Sequence, residues 1–248
     1  MCGAVLIRSA RHTPADLDAW ASNERADHVL AATARMGRLE DRALAALRAF
    51  ADRHAGQFYV GVSWGKDSVT IAHLAWRLGL REPLAWFPAG RIENPDCALV
   101  RDAFLARFPM AYREIEAAPA GDIGSPFGHD GAQKEFERVS ASLAPRYVSG
   151  VRAAESGTRH MRMRIWGESS KNTCAPLGWW PTEYVFAYLA KYDLPIHPIY
   201  ACTAGDLYDR IHLRVGTVGG GRGMEHGRRE HEQRYYPDVF RSVPEMRT

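Results

Sequence analysis

The shortages in this chain narrow it first. Only four of its 248 residues are cysteine (Cys2, Cys97, Cys174, Cys202), scattered and without a Cys-x-x-Cys pair. That spacing gives no disulfide framework, no zinc ribbon and no local iron–sulfur motif. No apolar run approaches the ~20 residues that cross a bilayer, and the first residues lack a secretory pattern, so a cytoplasmic protein with no membrane partner is expected. Charge of one sign is also missing. The 32 Lys and Arg against 29 Asp and Glu give a formal +3, too little by itself to argue for nucleic acid or a lipid surface. Internal repeats and low-complexity segments are absent. A hydrophobic share of 46% and a charged share of 25% describe an ordinary globular chain, long enough for one large α/β domain with appendages.

The chain divides into three stretches. Residues 1–55 read as a helical arm: Thr13-Pro14 is a cap and first-turn pair, and Leu39, Ala43, Leu44, Leu47 and Phe50 recur at helical spacing. Residues 56–202 alternate strand and helix. Strands are predicted at 58–62, 84–87, 110–115 and 146–149, and helices at 68–78, 95–108 and 131–143. Such alternation points to a doubly wound parallel sheet, whose ligands bind beyond the strand C-termini near the topological switch. Residues 117–130, rich in Pro, Gly and Asp, read as a surface loop. Residues 203–248 form a C-terminal tail packing on or near the site. Within it, 216–223 is a glycine-dense loop that is either an anion nest or a simple connector.

The densest signal is Tyr59-Val60-Gly61-Val62-Ser63-Trp64-Gly65-Lys66-Asp67-Ser68. An apolar strand enters a small-residue turn that opens straight into a helix. That geometry aims backbone N–H groups and a helix dipole at one spot, which suits a phosphate chain. Lys66 adds a full charge, and Ser63 and Ser68 add hydroxyls. A Walker A loop does not fit, because Gly61 and Gly65 are separated by three residues rather than the spacing that motif needs, and Asp67 follows Lys66. The bland alternative is a serine-glycine turn capping a buried helix. The Ser-x-Gly-x-Asp-Ser order resembles the PP-loop of ATP pyrophosphatases, which grip the β- and γ-phosphates and cut between α and β.

A second constellation follows the fourth predicted strand: Gly150-Val151-Arg152-Ala153-Ala154-Glu155-Ser156-Gly157-Thr158-Arg159. Alone it reads as a salt-bridged helix start, with Glu155 pairing the arginines. Beside the first motif, Arg152 and Arg159 can converge with Lys66 on one polyanion. The pattern looks like the second nucleotide motif of the phosphoadenosine phosphosulfate (PAPS) reductase family. Ala175-Pro176-Leu177-Gly178-Trp179-Trp180-Pro181-Thr182-Glu183-Tyr184 and Leu194-Pro195-Ile196-His197-Pro198-Ile199-Tyr200 are similar to that family's later stretches, in its order. The resemblance implies an adenine nucleotide α-hydrolase-like fold. It implies that Ser63, Trp64, Gly65, Lys66, Asp67 and Ser68 hold the terminal phosphates or sulfate of an adenine nucleotide, with Gly150, Arg152 and Glu155 beside them. Lys66, Asp67, Arg152 and Arg159 would carry catalysis on MgATP, with Asp67 orienting either the loop or Mg²⁺.

The chain also departs from that pattern. Trp64 stands where the family usually has a small residue. The family's catalytic cysteine lies in a C-terminal Glu-Cys-Gly-Leu-His tail, and no cysteine follows Cys202 here, which disfavours a sulfonucleotide reductase acting through its own thiolate. Glu93 or Asn94 would replace an acidic residue that contacts the nucleoside. The expected reaction is adenylation of an unknown acceptor with release of pyrophosphate, with Cys174 or Cys202 as candidates to relay sulfur. The rivals are a PAPS or adenylyl sulfate reductase using an external thiol, and a non-catalytic nucleotide-binding module acting with DNA or a protein partner through Arg228, Arg229, Arg234, Tyr235 and Tyr236. Glu230, Glu232 and Asp238 lie among those residues and favour a salt-bridged helix over a nucleic-acid surface. Histidines at 197, 212, 226 and 231 have no metal-site spacing.

Overall fold

Five strands pair in the order β3-β2-β1-β4-β5, every pair parallel. They are β1 (Phe58–Val62), β2 (Leu84–Trp86), β3 (Tyr112–Glu114), β4 (Arg146–Val148) and β5 (Thr173–Cys174). The computed structural model describes residues 6–115, 138, 140–218 and 227–242. Cys2, the predicted loop 117–130, most of the predicted helix 131–143, residues 219–223 of the glycine-dense loop, and His226 lie outside the described residues.

The central strand is apolar because both of its faces are covered, with only Gly61 partly open. Sequential strands run outward from β1 to β3, then the chain returns to the other side of β1 for β4. The strand order therefore reverses between β1 and β4, which is where an open parallel sheet leaves a crevice at its C-terminal edge.

Helices α1 (Pro14–Ala31), α2 (Ala34–His54), α3 (Lys66–Arg77), α4 (Cys97–Arg107), α5 (Gly157–Trp166), α6 (Thr182–Lys191) and α7 (Arg228–Tyr235) flank the sheet. Thr13 and Asp16 form a capping box at the start of α1. The four strands and two helices predicted within the described residues have ends within two residues of those observed. The edge strand β5 and helix α6 carry no separate prediction: β5 is two residues long, and α6 lies inside a stretch read for its motif.

The N-terminal helices share the core of the sheet. Trp20 of α1 meets Phe186 of α6 edge-on at 6.4 Å. Glu40 of α2 is buried and accepts from Arg77 of α3 at 2.9 Å, from Tyr192 at 2.6 Å and from Lys191 of α6. Burial alone would raise the Glu40 carboxyl, but these donors hold it below its ordinary value. The C-terminal segment is tied to the same body. Tyr235 donates to Asp16 at 2.9 Å and Tyr236 to Asp96 at 3.1 Å.

Candidate active site

A cavity of about 540 Å³ opens at the C-terminal ends of β1 and β4, at the strand-order reversal. Its floor is the loop from Ser63 into α3. One wall is Ser149, Gly150, Val151, Glu155 and Arg159, the other includes Tyr59, Trp86, Phe87 and Tyr147, and residues 214–217 complete the lining.

Gly65 is the N-cap of α3 with extended backbone. A Cβ there would lie 3.1 Å from the Tyr200 hydroxyl and 3.2 Å from Val215 Cβ, so a side chain would press on both neighbours. The Lys66 N–H donates to the same Tyr200 hydroxyl at 3.1 Å, and the Lys66 ammonium lies 5.2 Å from the Tyr200 ring centre. Lys66 is 4% exposed. Burial depresses its pKa, while the carboxylate of Asp67 at 3.0 Å pulls it the other way. Ser68 Oγ donates to the Gly65 carbonyl at 3.0 Å, so its hydrogen pins the loop and only its lone pairs face a ligand.

Asp67 joins the two motifs. Its Oδ1 accepts from Arg152 Nε at 2.6 Å, and its Oδ2 faces Lys66. Arg152 is 2% exposed and also donates to the Trp180 carbonyl at 3.2 Å and Thr182 Oγ1 at 3.0 Å. It was expected on the wall of the nucleotide cavity; instead its guanidinium stands behind Asp67 and holds that carboxylate in place. Glu155 accepts from the Arg152 N–H at 2.9 Å and from the Arg159 guanidinium. It thus fixes Arg159, which lines the cavity, as the spacing suggested. Gly150 is required by close approach: a Cβ would fall 2.9 Å from Asp67 Cβ and 3.1 Å from Asp67 C.

Two expected roles are corrected. Trp64, counted with the binding loop, has φ of +58°, which turns its side chain into the core. It is 0% exposed, with Phe104 and Tyr112 rings each 5.9 Å away, and it does not line the cavity. Asp67 has the loop-orienting role rather than the metal-ligating one, because both of its oxygens are held by cations and a Mg²⁺ there would confront Lys66 and Arg152. The described residues contain no cluster of metal-ligating side chains, and this donor set does not fit a resident ion.

Neither sulfur-relay candidate reaches the cavity. Cys174 and Cys202 are fully buried, and burial pushes the Cys174 thiol up to about 12 and the Cys202 thiol higher still. Cys97 is buried beneath the loop, its Sγ 3.7 Å from the Ser63 carbonyl. Glu93 lines the cavity, whereas Asn94 is buried and caps the Asp96 N–H at 3.0 Å. In the tail, Arg228 pairs with Glu232 at 2.6 Å and donates to the Thr217 carbonyl at 2.7 Å. Tyr235 and Tyr236 are buried, so they offer no stacking platform for bases. Among the described residues, no helix is long and apolar enough to cross a membrane.

Sequence reasoning missed Arg214, Tyr200 as a loop contact, and the aromatic wall. Tyr200 was visible only as part of a motif, and Arg214 has no motif around it. Its place is set by the tertiary path of residues 213–218, which is pinned where the Val218 N–H donates to the Ile92 carbonyl at 2.8 Å.

Comparison with known proteins agrees with this geometry. The chain is 28% identical over 170 residues to a protein named phosphoadenosine 5'-phosphosulfate reductase from Gloeobacter violaceus, covering 62% of this chain and 68% of that one. It is 23% identical over 90 residues to a protein of the same name from Xylella fastidiosa, covering 36% and 35%. No family model matches the chain. A solved PAPS reductase from Candida auris, in a phosphate complex, superposes with a TM-score of 0.47 at 15% identity over 73% of this chain and 93% of that one, a likeness too loose to carry weight. The loop at 63–68 and the paired arginine motif across the sheet reversal lie on a parallel α/β sheet, and the chain is similar over part of its length to these two curated PAPS reductases.

Proposed function

We propose that this protein binds an adenine nucleotide, with MgATP as substrate, and cleaves it between the α- and β-phosphates to adenylate an acceptor. The observation that carries this reading is Lys66, a buried lysine at the head of α3 on the floor of a cavity of about 540 Å³, a size that suits a nucleotide. The β- and γ-phosphates sit over the first turn of α3, where N–H groups lack helical partners. Lys66 and Arg159 supply charge, and Asp67 with Arg152 keeps Lys66 from swinging away. The adenine lies toward Tyr59, Phe87 and Tyr147, whose rings line the opposite wall.

In the reaction, an acceptor oxygen attacks the α-phosphorus. A new O–P bond forms as the α–β bridging P–O bond breaks, pyrophosphate leaves with the electron pair, and the acceptor's proton passes to solvent. The protein's part is to position the chain and to hold cations where charge accumulates on the leaving pyrophosphate. Magnesium arrives as part of the nucleotide substrate, and no step here depends on a protein-held ion.

The relatives' name makes a sulfonucleotide the rival substrate. The three described cysteines are buried and none lines the cavity, so that chemistry would draw its thiol from another segment or another protein. Direct binding of MgATP, adenylyl sulfate and PAPS to the wild type and Lys66→Ala decides between them. Preference for ATP, lost in the variant, supports adenylation. Preference for a sulfonucleotide replaces it with the reductase reading, and unchanged binding by Lys66→Ala removes both.

A further inference from the structure

A second cavity, of about 410 Å³, lies across Lys66 from the first. It shares Lys66, Glu155 and Arg214 with the nucleotide cavity and adds Arg152, Thr182 and His212. The charges along the shared wall do not balance. Lys66 and Arg152 divide one carboxylate, Asp67, and Arg159 pairs with Glu155. Arg214 donates to the backbone carbonyl of Glu155 at 3.2 Å, a neutral acceptor, and makes no ion pair among the described residues. Counting Arg159 of the first cavity, four cations therefore stand against Asp67, Glu155 and the exposed Glu183, and Arg214 among them pairs with none of these carboxylates. An oxyanion is the ligand that such a wall lacks.

Stereochemistry says which oxyanion. In-line displacement places the attacking atom and the leaving group on opposite sides of the reacting centre. A cavity reached past Lys66, which grips the nucleotide's tail, lies on the leaving side and is wrongly placed for the acceptor.

We propose that this second cavity is a release site for the pyrophosphate cut from the nucleotide's tail. Arg214 bridges the two cavities, and Arg152 and Lys66 form the inner cationic face. The transfer makes and breaks no covalent bond. The inference rests on the nucleotide reading above. The oxyanion is pyrophosphate, which leaves with the bridging electron pair when ATP is cut between α and β. When a thiol attacks a sulfonucleotide, the nucleotide leaves and the sulfonyl group stays with the attacker, so sulfite does not belong on this side.

The test loads the first cavity with α,β-methylene ATP, which cannot be cut between α and β, and titrates pyrophosphate calorimetrically, with sulfite in a parallel titration. Pyrophosphate should bind the loaded wild type, and binding of sulfite in its place would overturn the assignment. Arg214→Ala and His212→Glu should each weaken that binding about tenfold or more. Both residues are exposed, so thermal midpoints near the wild type are expected. His212 lines only the second cavity, so His212→Glu should leave the affinity for the analogue unchanged. If the analogue displaces pyrophosphate competitively, or pyrophosphate does not bind, or His212→Glu has no effect, the proposal is overturned. Should the analogue itself fail to bind, the nucleotide reading fails separately. Anion titration into the free wild type and His212→Glu then still decides whether the second cavity holds an oxyanion.

Discussion

Arg152 Nε and Asp67 Oδ1 lie 2.6 Å apart, joining the segment after β4 to the first turn of α3 across the point where the strand order reverses. The pair is largely enclosed, with side-chain exposures of 2% for Arg152 and 17% for Asp67. Removing one partner of such a pair strands the other's charge, which costs about 3–5 kcal/mol. Asp67→Asn should therefore lower unfolding stability by about 3 kcal/mol in a urea titration, because it strands Lys66 as well as Arg152. In a double-mutant cycle with Arg152→Leu, the coupling should exceed about 1 kcal/mol; additive losses would show that the contact is not a working link.

Gly150 offers a sharper probe of the same junction. An alanine Cβ would meet Asp67 Cβ at 2.9 Å and Asp67 C at 3.1 Å, and the backbone atom cannot yield as a flexible side-chain tip would. Gly150→Ala should cost about 1–3 kcal/mol by overpacking and displace Asp67, weakening nucleotide binding about tenfold. Calorimetry with MgATP checks the second effect. Wild-type affinity in Gly150→Ala would mean that the position of Asp67 does not govern the loop.

The loop and its flanking elements were legible because their signal is local. Strand β1, the turn at Gly65 and helix α3 are consecutive, and hydrophobic pattern and turn chemistry act over a few residues. Glu155 as the partner of Arg159 was legible for the same reason, since four residues on a helical segment bring the two together. The role of Arg152 was not. Its guanidinium points to Asp67, Trp180 and Thr182, and which way an arginine turns at a sheet edge depends on contacts distant in sequence. Trp64 misled because its place inside the loop motif counted it with the binding residues, whereas a positive φ turns its side chain into the core.

Trp64 therefore makes a separable prediction. Its φ of +58° is a conformation that bulky residues rarely adopt, held by burial against Phe104 and Tyr112. Trp64→Ala loses the packing and keeps the backbone strain, so a loss of about 3–5 kcal/mol is expected. Trp64→Gly loses the same packing but relaxes the strain, and should be more stable than Trp64→Ala by about 1 kcal/mol. Chemical denaturation of the two variants side by side measures the difference. The reverse order would refute the strain argument.

Two buried histidines set the acid limit of the fold. Burial lowers His73 from its ordinary 6.5 to about 4 and His197 to about 3. His73 Nδ1 meets the Tyr188 hydroxyl at 2.8 Å inside a cage that includes Phe108, Tyr192 and Trp76. A folded pKa below the unfolded one means that the unfolded chain binds more protons between those values, so stability rises with pH across that interval. The contribution is complete above about pH 6.5 and is lost as pH falls toward 4 and below. Each pKa unit corresponds to about 1.4 kcal/mol, so His73 alone accounts for about 3 kcal/mol by pH 4. The depressed carboxyls of Asp16 and Glu40 act mainly below their ordinary values of 3.8 and 4.5, so pH 4.5–6.5 belongs to the buried histidines, opposed by Asp27, whose carboxyl burial raises. Urea midpoints measured across that window should fall with pH in the wild type and fall less steeply in His73→Gln. Equal slopes in the two proteins would mean that His73 is not neutral in the fold.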